Sequence, residues 1–236
     1  MRKYMKFNHQ DRTLEATPYL YGPGTSVSLI NEIRDPRENS REPTASEMAS
    51  FIHAYSQRGD VAYHLSTASF MGFTGILFVP GDQTIHFIDY PTFNTNGSVN
   101  VKDLSNRISE SRSTLEFTRF YPGPVLNEHI REHPFILAWV GGQEGAEKLA
   151  YLASTNPRAT SRSASWTLPP FAQRYPHGIA YICIPDVANL KKPLATVATL
   201  GFGMSDLGLL VCATNDGSIQ KNYSFGILAE REKRAA

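Results

Sequence analysis

Residues 135–153 read FILAWVGGQEGAEKLAYLA, an apolar run, a glycine turn and an amphipathic run in immediate succession. No other stretch limits the fold as strongly. The six apolar residues from Phe135 to Val140 predict a buried strand, and Gly141 and Gly142 a sharp reversal. Ala146, Leu149, Ala150 and Ala153 then recur at helical spacing, which predicts a helix over 144–154 packed on a core.

The rest of the chain supplies partners for such a unit. Thr44 and Glu47 form a capping box, because the threonine hydroxyl accepts from an otherwise unpaired amide and the glutamate returns a bond to the cap. Met48, Phe51, Ile52 and Tyr55 follow at i, i+3, i+4 and i+7, predicting a helix over 45–57 that Gly59 stops. The nearly continuous apolar run from Phe73 to Val79 predicts a strand covered on both faces, joined through Pro80, Gly81 and Asp82 to a second strand at 84–90. A half-buried strand at 114–120 and short helices near 102–110 and 125–132 follow. The last sixty residues read as antiparallel strands at 178–184, 195–201, 207–214 and 223–228. Residues 1–33 carry weaker signals, a short strand around Tyr19–Tyr21 and a turn at Gly22, Pro23 and Gly24.

These elements sum to an α+β fold, a mostly antiparallel sheet with about four packed helices. Residues 1–43 form an N-terminal segment that ends in a charged, proline-bounded linker (34–43), and 44–236 form a single domain with a candidate lobe boundary within 154–177. At 236 residues the chain can bury a substantial core. Its 23 basic and 22 acidic residues nearly cancel, which disfavours a dedicated nucleic-acid binder. The N-terminus lacks the apolar stretch of a signal peptide, and no apolar run approaches the roughly 18 to 20 residues that span a bilayer. The expectation is a cytoplasmic protein without a membrane partner. Cys183 and Cys212 each lie inside an apolar run and are expected as thiols acting as small hydrophobes, with a bridge between neighbouring strands left open.

Four places carry chemistry. The glycine turn at 141–145 precedes a helix, where amides favour anions, yet it lacks both phosphate-loop patterns and carries Glu144, which serves the helix dipole instead. His129, Glu132 and His133 match H-x-x-E-H, in which two histidines one helical turn apart hold zinc and the glutamate acts as base; Pro134 opposes a helix at the second histidine. Ser205 could be grouped with His177 and Asp186 as a triad, although the serine lies in turn chemistry and not in a nucleophile elbow. The long stretch 154–177 has no usable periodicity and presents Arg158, Arg162, Trp166, Phe171, Arg174, Tyr175 and His177. Arginines interleaved with aromatics can stack bases and neutralise phosphates, or can clamp an acidic ligand.

Three pieces, residues 43–55, residues 144–149 and residues 223–228, together resemble an uncharacterised archaeal protein family, in the same order over most of the chain after residue 42. The resemblance implies one continuous unit and carries no activity. The reading is therefore a non-enzymatic binding or interaction protein, with an unknown small molecule or protein as partner. Its site is expected at Arg158, Arg162, Trp166, Arg174, Tyr175 and His177, with no catalytic residue and no cofactor. The alternative is a metal-dependent hydrolase holding zinc through His129 and His133, with Glu132 as base.

Overall fold

The structure, a computed structural model, describes residues 4–34, 36–37, 39–155, 178–202, 208–215, 217–218 and 221–228. It begins with a hairpin, β1 (Met5–His9) and β2 (Arg12–Ala16), followed by β3 (Tyr21–Gly24), α1 (Ser26–Ile33) and β4 (Ser40–Arg41). Two helices, α2 (Ala45–Tyr55) and α3 (Gly59–Thr67), lead into the hairpin of β5 (Ser69–Val79) and β6 (Thr84–Asp89). Then come α4 (Val101–Asn106), β7 (Ser113–Glu116), β8 (Gly123–Leu126), α5 (Asn127–Ile130), α6 (Pro134–Val140) and α7 (Gln143–Ser154). The final strands are β9 (Ile179–Cys183), β10 (Leu194–Phe202), β11 (Leu209–Asn215), β12 (Asn222–Ser224) and β13 (Ile227–Leu228).

The α+β class holds, and the strands of the described residues form two sheets. A four-stranded sheet runs β1-β2-β13-β4 and joins the first two described strands to the last. A nine-stranded sheet runs β3-β12-β5-β10-β11-β9-β8, with β6 and β7 extending from β5. Pairing is mainly antiparallel, but β9–β11 and β5–β12 are parallel. Strand β5 explains the continuous apolar run: Phe70, Ile76 and Phe78 enter one core, while Met71, Phe73 and Leu77 enter another on the opposite face. The aromatic rings of Phe7, Phe51 and Phe225 meet in the first core, Phe51 stacked on Phe225 at 3.9 Å, and fasten β1, α2 and the C-terminal strands to one another.

Helix α2 begins as its sequence predicts. Thr44 Oγ1 accepts from the Glu47 amide at 3.3 Å, and the Thr44 amide donates to Glu47 Oε2 at 2.9 Å. It ends at Tyr55, and Gly59 opens α3, whose Val61 and Leu65 are buried one turn apart.

The largest departure concerns residues 135–140, which form helix α6 and not a strand. Pro134 occupies the first turn, where its missing amide is harmless, and Gly141 closes the helix in the left-handed region at φ 76°. Phe135, Ile136, Ala138, Trp139 and Val140 are all buried, so no polar face marks the 3.6-residue period, and an all-apolar run looks the same in either state. The unit that organises the chain is thus helix-turn-helix. Two shorter departures have a similar origin: the 125–132 helix is split between β8 and α5, and the 114–120 strand gives way after Glu116 to a 3-10 turn. The charged run 34–43 joins the fold at its end, where Ser40 and Arg41 pair with β13 and Glu42 is buried beside Arg34 at 2.5 Å.

Candidate functional site

Behind the glycine turn lies a chain of part-buried polar contacts. Arg112 Nη2 donates to the Ala138 and Trp139 carbonyls at 3.1 and 2.9 Å, satisfying the C-terminal end of α6. Asp89 faces this guanidinium at 3.4 Å and accepts from Thr74 Oγ1 at 2.5 Å, while Thr74 Oγ1 itself accepts from the Ala45 amide at 3.0 Å. Beside it, Arg41 grips Glu47 through two bonds of 2.9 and 2.6 Å and donates to the Tyr90 hydroxyl at 2.9 Å. Burial acts to raise the Glu47 carboxyl, but the Arg41 bonds and charge and the Thr44 amide outweigh it and hold the group below the usual carboxylate range. Tyr90 is pushed up to about 12, first by burial and then by the Glu47 charge.

In front of the turn is a depression of about 140 Å³, lined by His9, Ser46, Ser50, Gly142, Glu144 and Lys148 among others. The alternation of Met5, Phe7 and His9 along β1 turns His9 inward, where it is only 5% exposed. Its Nδ1 lies 3.0 Å from Ser50 Oγ on α2, and Lys148 Nζ on α7 donates to the same Oγ at 2.9 Å. Lysine can only donate, so Ser50 accepts there and its own proton is available to His9 Nδ1. Burial first, and the Lys148 charge as well, lower the His9 pKa against the opposing pull of Glu47. Glu144 accepts from Lys148 one helical turn away and from the Gln10 amide at 3.1 Å. The glycine turn therefore carries a carboxylate already satisfied from two sides. The cluster joins β1, α2 and α7, and the alternation in residues 5–9 is the one sequence signal that leads to it.

His129 and His133 are not brought onto one helix. Helix α5 ends at Ile130, His129 is exposed beside Glu128, and His133 is the cap of α6, half-buried against the Phe120 ring. Glu132 is exposed. Among the described residues no group of three or more histidine, cysteine or acidic side chains is placed to hold a metal ion. The physical reason is Pro134, which forces an extended conformation on His133 (ψ 119°) and starts a new helix.

Arg158, Arg162, Trp166, Phe171, Arg174, Tyr175 and His177 lie outside the described residues, as does Ser205. Their points of attachment do not. Gly178, at φ +90°, lies so close to the last turn of α7 that a Cβ there would meet the Ala153 carbonyl oxygen at 2.4 Å. The chain thus leaves at Thr155 and returns at the same place. Gly208, at φ +81°, lies against the Ile179 carbonyl in the same way, at 2.1 Å, and Phe202 pairs with Leu209. Among the described residues, Gly178, Ile179, Phe202, Gly208 and Leu209 thus lie together at one end of the large sheet.

No protein-family model and no curated protein sequence matches the chain. A solved structure described under "Accommodation of massive sequence variation in Nanoarchaeota by the C-type lectin fold" superposes with a TM-score of 0.57, covering 93% of this chain and 100% of its own, at 11% identity. The chain has the C-type lectin fold. At that identity the likeness is a statement about architecture alone. No helix of the described residues is long and apolar enough to cross a membrane.

Proposed function

We propose that the protein is a non-enzymatic binding module that uses segment 154–177 to hold an anionic ligand. The observation that carries the reading is charge: the segment has three arginines and no acidic residue, a balance of +3 in a chain whose net charge is +1. Trp166, Phe171 and Tyr175 are interleaved with these arginines and offer apolar faces for a planar or ring-shaped part of the ligand. Two further findings support the reading. The described residues that flank the segment, Thr155 and Gly178, lie close to each other at one end of the large sheet, and binding residues are commonly carried between such closely spaced element ends. The architecture is shared with a C-type lectin-fold protein described as accommodating massive sequence variation, so the scaffold tolerates the surface changes that a binding module needs.

The test is chromatography of the full chain on immobilised heparin, a sulfated polysaccharide used here as an anionic probe, eluted with salt. The chain is expected to be retained, and the R162A/W166A/R174A variant to elute at markedly lower salt. An R119A/R131A variant, which removes two exposed arginines elsewhere, is expected to elute close to the unaltered chain. Equal elution of the triple variant and the unaltered chain sinks the proposal.

A further inference from the structure

The chain has two cysteines, far apart in sequence, and the fold places them directly opposite each other. Cys183 ends β9 and Cys212 lies within β11, and in the parallel register of these neighbouring strands they are partners. Both are free and half-buried. They continue the less buried face of the two strands: Tyr181 and Leu210, the preceding register pair on that face, are also only half-buried, whereas Ile182 and Val211 between them point into the core. Neighbouring strands lie about 4.7–4.9 Å apart, inside the roughly 4.4–6.8 Å window of Cα separations that a disulfide bridges. Cys212 is also opposite Thr199, beside the register shift between Val197 and Thr199, where the β10–β11 ladder is already irregular and can absorb a small displacement.

We propose that Cys183 and Cys212 form a reversible dithiol–disulfide couple, oxidised by low-molecular-weight disulfides. The order of events follows from the contact between the two groups. Cys183 Sγ lies 4.0 Å from the Tyr181 carbonyl oxygen, and the interaction between the two thiols draws Cys183 below the ordinary thiol range while that interaction, and then burial, push Cys212 above it. Cys183 as thiolate attacks one sulfur of the small disulfide, a protein–small-molecule S–S bond forms, and one small thiolate leaves. Cys212 then gives up its proton to that thiolate and attacks the Cys183 sulfur, breaking the mixed disulfide and releasing the second small thiolate, which takes up from water the proton that Cys183 had lost. The protein loses two electrons and two protons, and the small disulfide gains them as two thiols.

The experiment uses the full, reduced chain equilibrated in glutathione and glutathione disulfide at graded ratios, trapped with N-ethylmaleimide and read by intact mass. The expected result is a passage from two alkylated thiols to none, with loss of two hydrogens, in a monomer that retains no glutathione. C212S is expected to stop with one glutathione on residue 183. Two alkylated thiols at every ratio, a glutathione adduct that persists in the unaltered chain, or oxidation that appears only as linked dimers would each overturn the proposal. The unaltered chain alone decides the matter if the variant does not fold.

Discussion

Thr74 is the joint at which the polar contacts behind the glycine turn can be cut with the least change of shape. It is fully buried, its hydroxyl accepts from the Ala45 amide at 3.0 Å, and it donates to Asp89 at 2.5 Å. Thr74→Val keeps the volume and the branching at Cβ but removes both bonds. The Ala45 amide, in the first turn of α2, then has no intrahelical partner, and a buried donor left so costs about 1–3 kcal/mol. Losing the bond to Asp89 adds about 1.5–3 kcal/mol, and burying a methyl in place of a hydroxyl returns on the order of 1 kcal/mol. The net loss is about 1.5–5 kcal/mol, a fall in Tm on the order of 10 °C for a chain of this size. Thr74→Ser is the matched control, because it keeps the hydroxyl and loses one methyl, about 1 kcal/mol. Thermal unfolding followed by circular dichroism reads both. The reasoning stands if the valine variant melts below the serine variant. It is refuted if the order is reversed or if the valine variant matches the unaltered chain.

Three other outcomes follow from the same geometry. Gly72→Ala is expected to cost about 2–3 kcal/mol, because its Cβ would meet Ala45 backbone atoms at 2.6 and 2.8 Å; Gly75→Ala, which meets a movable Leu104 side chain, should cost less in parallel denaturant titrations. Acidification should weaken the fold in two steps. His9, His53, His86 and His133 all have pKa values lowered by burial, so the unfolded chain takes up protons first and the stability these groups contribute is lost as pH falls below about 6.5. The lowered Glu47 carboxyl contributes stability above its unfolded value of 4.5 that disappears as pH falls through its folded value; a urea midpoint that rises between pH 7.5 and pH 5.5 would contradict this account. Closing the Cys183–Cys212 bridge ties off a loop of about 30 residues and is expected to stabilise the chain by about 3–4 kcal/mol in the loop-entropy treatment, measured as the difference in urea midpoint between the oxidised and reduced forms.

What the sequence determined by itself was the set of elements whose signals are local. Thr44 and Glu47 satisfy each other within four residues, so α2 starts where its capping box says it should. The β5–β6 hairpin follows from a doubly covered apolar run and an adjacent turn, and β10 and β11 follow from their own apolar stretches. The tertiary structure decided everything that depends on what surrounds an element. Residues 135–140 became a helix because burial on every side removes the periodicity that tells helix from strand, leaving Pro134 and Gly141 to decide. His9, Ser50 and Lys148 meet only because β1, α2 and α7 do, and no spacing of 41 or 98 residues announces such a meeting. The same holds for Cys183 and Cys212: two apolar strands record their inward and outward faces, but the parallel pairing that sets the two thiols side by side exists only in the assembled sheet.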